Sequence, residues 1–134
     1  MFHLTKILNG RIGVPEPQRI LLSTAVTVKY GMLAIIKDGA LTVFNASSTA
    51  LPTHLILSDS EGREVLAAPV TPDMRFEVKT SASPAAMTVG TEYLLNADGT
   101  AVSATAAASG KRGACLIDTM GAKTAGDRIV VAFR

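Results

Sequence analysis

Met32-Leu33-Ala34-Ile35-Ile36-Lys37-Asp38-Gly39-Ala40-Leu41-Thr42-Val43-Phe44 decides the fold class. Two apolar runs rich in β-branched residues flank Asp-Gly. That dipeptide tolerates positive φ at both positions and is the strongest short-range hairpin signal. The same punctuation recurs along the chain, at Ser60-Glu61-Gly62, Asn96-Ala97-Asp98-Gly99, Gly110-Lys111-Arg112-Gly113 and Gly126-Asp127. Between these turns lie short apolar runs. Many short strands with turns at this spacing predict an all-β domain, a compact β-sandwich or a small β-barrel.

The spacing predicts strands over Ala25–Lys29, Met32–Ile36, Leu41–Phe44, His54–Leu57 and Arg63–Val70. Pro69 and Pro72 limit the last of these and suggest an edge or a strand end. Met74 to Thr80 alternates strictly. Met74, Phe76 and Val78 form one face; Arg75, Glu77 and Lys79 form the other, solvated or paired with a partner. Tyr93–Leu95, Ala101–Thr105, Ala114–Ile117 and Ile129–Phe133 follow. Ser83-Pro84-Ala85-Ala86-Met87 is the best helical start, and Gly90 restricts it to one or two short helical turns.

Residues 1–19 read as an extended N-terminal arm, with 20–134 a single β-rich domain. Gly10, Gly13, Pro15 and Pro17 exclude a long helix. Yet Phe2, Leu4, Ile7 and Leu8 are apolar, so the arm docks, either on its own domain or on a neighbour. A first strand of the same domain is an equal alternative. The arm carries Lys6, Arg11 and Arg19 against Glu16, and the other ten basic and ten acidic side chains cancel. The whole formal excess of +2 therefore lies in the first nineteen residues. An excess of this size is too small to argue for nucleic acid.

Apolar residues make up 48% of 134, enough for a genuine core. With six aromatics and no Trp, the core suits facing sheets better than a wide ligand cavity. One cysteine excludes an intrachain disulfide, and Cys115 in Ala114-Cys115-Leu116-Ile117 reads as a core thiol. Phe2–Leu8 lacks the apolar stretch of a secretory signal, and no apolar run reaches the length of a membrane span. Asn45-Ala46-Ser47, formally a glycosylation acceptor, reads as an ordinary loop.

Chemistry-bearing patterns are weak. His3 and His54 have no metal-ligand spacing around them. Gly121-Ala122-Lys123-Thr124 lacks the glycines of a phosphate loop. Ser109-Gly110-Lys111-Arg112-Gly113 could hold an anion on backbone N–H groups, but a solvated hairpin turn accounts for it better. Asp59 and Glu61 share a turn where water screens them, and no nucleophile elbow occurs. The expectation is a binding or structural module, with no catalytic residues, no cofactor and no metal.

The order of Gly31-Met32-Leu33-Ala34-Ile35-Ile36-Lys37-Asp38-Gly39, Gly90-Thr91-Glu92-Tyr93-Leu94-Leu95-Asn96-Ala97-Asp98-Gly99-Thr100, Gly113-Ala114-Cys115-Leu116-Ile117 and Gly126-Asp127-Arg128-Ile129-Val130-Val131-Ala132-Phe133 resembles the head-decoration, or capsid cement, proteins of tailed bacteriophages. It covers most of residues 25–134 and is a pattern of turns and strands, without a catalytic signature. The resemblance implies a protein made in the host bacterial cytoplasm and placed on the outer capsid surface of the virion. There it binds the major capsid protein at subunit junctions, alongside neighbouring copies of itself as a trimer. It implies no nucleic acid, membrane or small-molecule partner. On this reading the arm grips the shell through Phe2, Leu4, Ile7 and Leu8, with Lys6 and Arg11 meeting acidic groups. A tail-tube, head-completion or fibre-base module is the alternative. A carbohydrate-binding domain and a small enzyme using Cys115 are further alternatives.

Overall fold

The computed structural model describes residues 1–7 and 15–134. These form an all-β structure with no helix, built of two antiparallel sheets packed as a sandwich. The strands are β1 (His3–Ile7), β2 (Gln18–Leu21), β3 (Leu33–Lys37), β4 (Ala40–Val43), β5 (His54–Ile56) and β6 (Glu64–Pro69), followed by β7 (Met74–Lys79), β8 (Glu92–Leu95), β9 (Val102–Ala106), β10 (Ala114–Asp118) and β11 (Arg128–Ala132). One sheet has the order β1-β7-β11-β10-β8-β9, the other β2-β6-β5-β3-β4.

Period-2 alternation assigns each side chain to a layer. Met74, Phe76 and Val78 of β7, Ile129 and Val131 of β11, and Leu116 of β10 face inward from the six-stranded sheet. Leu33 and Leu55 meet them from the other sheet. The four phenylalanines interlock between the layers. Phe133 lies edge-to-face with Phe2, Phe44 and Phe76, at centroid distances of 5.7, 5.6 and 5.5 Å. All four rings are buried.

The five-stranded sheet carries a second core on its outer face, formed by Leu22, Val28, Ala34, Ile56, Val65 and Ala67. Adjacent residues Leu33 and Ala34, and Leu55 and Ile56, therefore serve different cores. This doubly buried arrangement explains the unbroken apolar run of β3.

The segment 25–29 forms no strand, contrary to its alternating pattern. Val26 and Val28 do turn inward, onto the second core. Their backbone partners belong to the turn after β5. Val26 N–H donates to Gly62 O at 3.1 Å, Val28 N–H to Ser60 Oγ at 3.0 Å, and Ser60 N–H to Val28 O at 3.0 Å. The segment is an extended cover tied to a turn, so its period-2 pattern arises without a ladder. Ser83–Met87 is likewise a turn, with Met87 N–H on Pro84 O at 3.0 Å. The Ser83 hydroxyl donates to Lys123 O at 2.8 Å. Pro69 closes β6, an interior strand, and so marks a strand end.

Lys37 pairs with Ala40 across Asp38 and Gly39, whose φ values are +52° and +75°. Positive φ at both central positions is the type I′ signature that matches strand twist. Space around Gly39 is open, so Gly39→Val is strained by φ alone, at about 1–2 kcal/mol. Gly113 differs. Its φ is ordinary, but an added Cβ would run into the Tyr93 backbone. Gly113→Ala is therefore expected to cost more than Gly39→Ala in urea unfolding, and the reverse order would refute the close-packing account. Phe133→Ala should lose about 3–5 kcal/mol, as large aromatic truncations in cores do. A loss below about 1 kcal/mol would show that the interlock is dispensable.

Candidate interaction surface

The structure separates the six arm residues singled out from sequence. Phe2 is 1% exposed and belongs to the aromatic interlock, so its ring is engaged inside the protein. Leu4 and Ile7 pack against the same core. Lys6 is exposed. Leu8 and Arg11 lie outside the described residues. Strand β1 pairs with β7, placing Leu4 beside Phe76 and Ile7 beside Met74. Residues 3–7 thus take the second role the sequence left open, a strand of the same sandwich. Among the described anchors, Lys6 alone presents its side chain outward on a sheet face.

The outer face of the six-stranded sheet carries Arg75, Glu77 and Lys79 on β7, because their neighbours Met74, Phe76 and Val78 are buried. Register puts Lys6 opposite Arg75, His3 and Val130 on either side of Glu77, and Arg128 opposite Lys79. Arg128 reaches across to Glu77 at 3.2 Å. The Arg75 guanidinium donates to Pro72 O and Met74 O.

Two bulges shape this face. Thr5 is an extra residue in β1, and its hydroxyl donates to Arg75 O at 3.1 Å. Ile117 is an extra residue in β10, so Ile117 and Asp118 both come to the outer side near Val130. Bulges bend their strands. The result is a shallow groove of about 520 Å³ lined by Thr5, Lys6, Arg75, Ile117, Asp118 and Val130. A smaller concavity of about 200 Å³ lies beside β6 and is rimmed by Arg19, Asp59, Glu61 and Glu64.

Other sequence candidates are committed to the fold. Arg112 of the glycine-bracketed loop donates to Glu92 Oε1 at 2.9 Å, and the same oxygen takes Gly113 N–H at 2.5 Å. The backbone N–H groups of Lys123 and Thr124 both donate to Asp127 Oδ2 at 2.9 Å. These bonds hold the Asp127 carboxyl below its ordinary pKa. That turn binds an anion, and the anion is its own side chain. Asn45 Oδ1 accepts from Ser47 N–H and Oγ–H, a local turn. Cys115 is buried, as a core thiol should be, with Arg134 Nη2 3.8 Å from its sulfur. Among the described residues no group of three or more His, Cys, Asp or Glu side chains is arranged to hold a metal ion. Among the described residues no helix is long and apolar enough to cross a membrane.

Compared with known proteins, the chain matches no family model, no curated protein and no solved structure.

The cross-strand partners of this face escaped sequence reasoning because register links residues 69 positions apart, such as Lys6 and Arg75. The alternation of β7 was the one available signal.

His54 is half-buried, with Nδ1 2.8 Å from Thr53 Oγ1. Desolvation lowers its pKa below the ordinary 6.5. The unfolded chain thus takes up this proton at higher pH than the folded one. Its contribution to stability is complete above 6.5 and declines as pH falls toward the folded pKa. His54→Gln should therefore lose less stability than the parent between about pH 7.5 and 5.5, measured by urea midpoints. Equal losses would show that other groups carry the dependence.

Proposed function

We propose that this protein is a virion structural protein that binds the outer surface of an assembled bacteriophage capsid at junctions between major capsid subunits and stabilises the shell. The observation that carries the reading is the coincidence of the resemblance with structural elements. Gly31–Gly39 contains β3 and the start of its hairpin, and Gly90–Thr100 contains β8 and its turn. Gly113–Ile117 spans most of β10, and Gly126–Phe133 contains β11 beside it. Three of the four stretches that suggest a cement protein supply β8, β10 and β11 of the six-stranded sheet, and the first supplies β3 of the five-stranded sheet.

A two-sheet sandwich suits bracing. Its two cores hold both layers, and the lateral faces and loops remain to touch a shell. Contacts across a subunit junction exist only on the assembled shell, and repetition over many copies multiplies a modest interface. Neighbouring copies, arranged as a trimer, complete the proposed arrangement. With Phe2 in the core, gripping falls to exposed side chains such as Lys6 instead of a detached apolar arm.

Co-sedimentation with mature phage heads and with unexpanded procapsids tests the reading. Saturable binding to mature heads alone is expected if expansion creates the site at the junctions. Binding to neither particle would overturn it in favour of a tail or adaptor component.

A further inference from the structure

Like charges directly opposite one another destabilise a sheet. The outer face of the six-stranded sheet holds two such pairs, Lys6 opposite Arg75 and Arg128 opposite Lys79. Arg75 and Lys79 are four residues apart on β7, so the two pairs are separated by about 13 Å along the strands. Between them sits Glu77, which is bonded to Arg128. Neither Lys6 nor Lys79 has an ion-pair partner among the described residues. Four cations face two carboxylates here, Glu77 and Asp118, an excess equal to the formal charge of the whole chain. Arg75 and Arg128 are held by hydrogen bonds, but Lys6 and Lys79 gain no ion pair among the described residues to offset the repulsion. A local rule broken without a structural return marks a functional surface.

We propose that this face docks onto an acidic protein surface, with Lys6, Arg75, Lys79 and Arg128 meeting its carboxylates. The proposal rests on the capsid reading for the partner's identity and deepens it by naming the face that makes contact. The chemistry of the groove selects protein over nucleic acid. Ile117 and Val130 give it apolar lining, and Asp118 stands at its edge. A polyphosphate would set negative charge against both carboxylates and leave the apolar lining unmatched. A protein surface supplies carboxylates for the cation pairs, cations for Asp118 and apolar side chains for the groove.

The full chain is tested with poly-L-glutamate and with single-stranded DNA of equal charge, alongside phage heads. The face variant is Lys6→Gln, Arg75→Gln, Lys79→Gln and Arg128→Gln together. The control removes four exposed lysines elsewhere, by Lys29→Gln, Lys37→Gln, Lys111→Gln and Lys123→Gln. The parent and the control should bind poly-L-glutamate, with affinity falling as salt rises. The face variant should bind at least about tenfold more weakly. A second variant, Lys6→Glu with Lys79→Glu, leaves both arginines and their hydrogen bonds in place and should show the same loss.

Equal losses in the face variant and the control would overturn the proposal, as would tighter binding of DNA than of poly-L-glutamate. Undiminished binding of heads by both face variants would overturn it while leaving the capsid reading intact. Binding of poly-L-glutamate through this face without any binding of heads would overturn the capsid reading and leave the acidic-protein surface standing.

Discussion

The contact of Phe133 with three other rings is the constraint on which the rest of the sandwich depends. Phe2 precedes β1, Phe76 lies in β7, Phe44 follows β4 and Phe133 follows β11. Edge-to-face pairs each add about 0.5–1.5 kcal/mol beyond their area burial. Their direction also matters, because a ring edge must meet a ring face. The interlock therefore fixes the relative position of two sheets that hydrogen bonds alone would leave free to slide. It also explains why so aromatic-poor a chain forms a defined core: four rings placed together specify more than the same rings dispersed would.

The five-stranded sheet solves a different problem. With apolar side chains on both faces, it needs cover on the side away from its partner sheet. The segment 22–32 provides it, with Leu22, Val26, Val28 and Met32 laid on that face. A coil segment in this position must satisfy its own backbone groups. Ser60 resolves this by accepting from Val28 N–H and donating to Val26 O at 2.7 Å, so a single hydroxyl closes the cover onto the turn. The serine of Ser60-Glu61-Gly62 is thus a tether as much as a turn residue.

Most of the strands were legible in the sequence where the signal was local. Asp38-Gly39 marks its hairpin because both positions need positive φ. The alternation of Met74–Lys79 marks a strand with one buried face, and Ile129–Phe133 reads as the closing strand, observed over Arg128–Ala132. The failures share a cause. Val26 and Val28 alternate like a strand, yet hydrogen bonding to a distant turn decides their backbone state. Phe2, Leu4 and Ile7 signal that residues 1–7 must dock, but the sequence does not show onto what, since β7 lies some seventy residues away. The groove was invisible for the same reason: it needs the bulge at Thr5 and the bulge at Ile117 on strands that meet only through β7 and β11.

Edges and faces divide the work in the six-stranded sheet. Both of its edge strands are bulged, and at each bulge a hydroxyl donates to the partner strand: Thr5 to Arg75 O in β1 and Ser103 to Leu94 O at 2.9 Å in β9. Bulged edges resist strand-to-strand association. Thr105 N–H, on β9, turns back to Ser103 Oγ at 3.3 Å. Such edges are poor templates for another strand, so association through this sheet must use side chains on its face. That face is where the cations stand opposed, Lys6 to Arg75 and Arg128 to Lys79, and where the bend at Ile117 opens a concavity beside them. The bulges that close the edges to strand addition include the one at Thr5 that shapes the groove. A single irregularity in β1 thus disfavours strand addition and shapes the face proposed to dock.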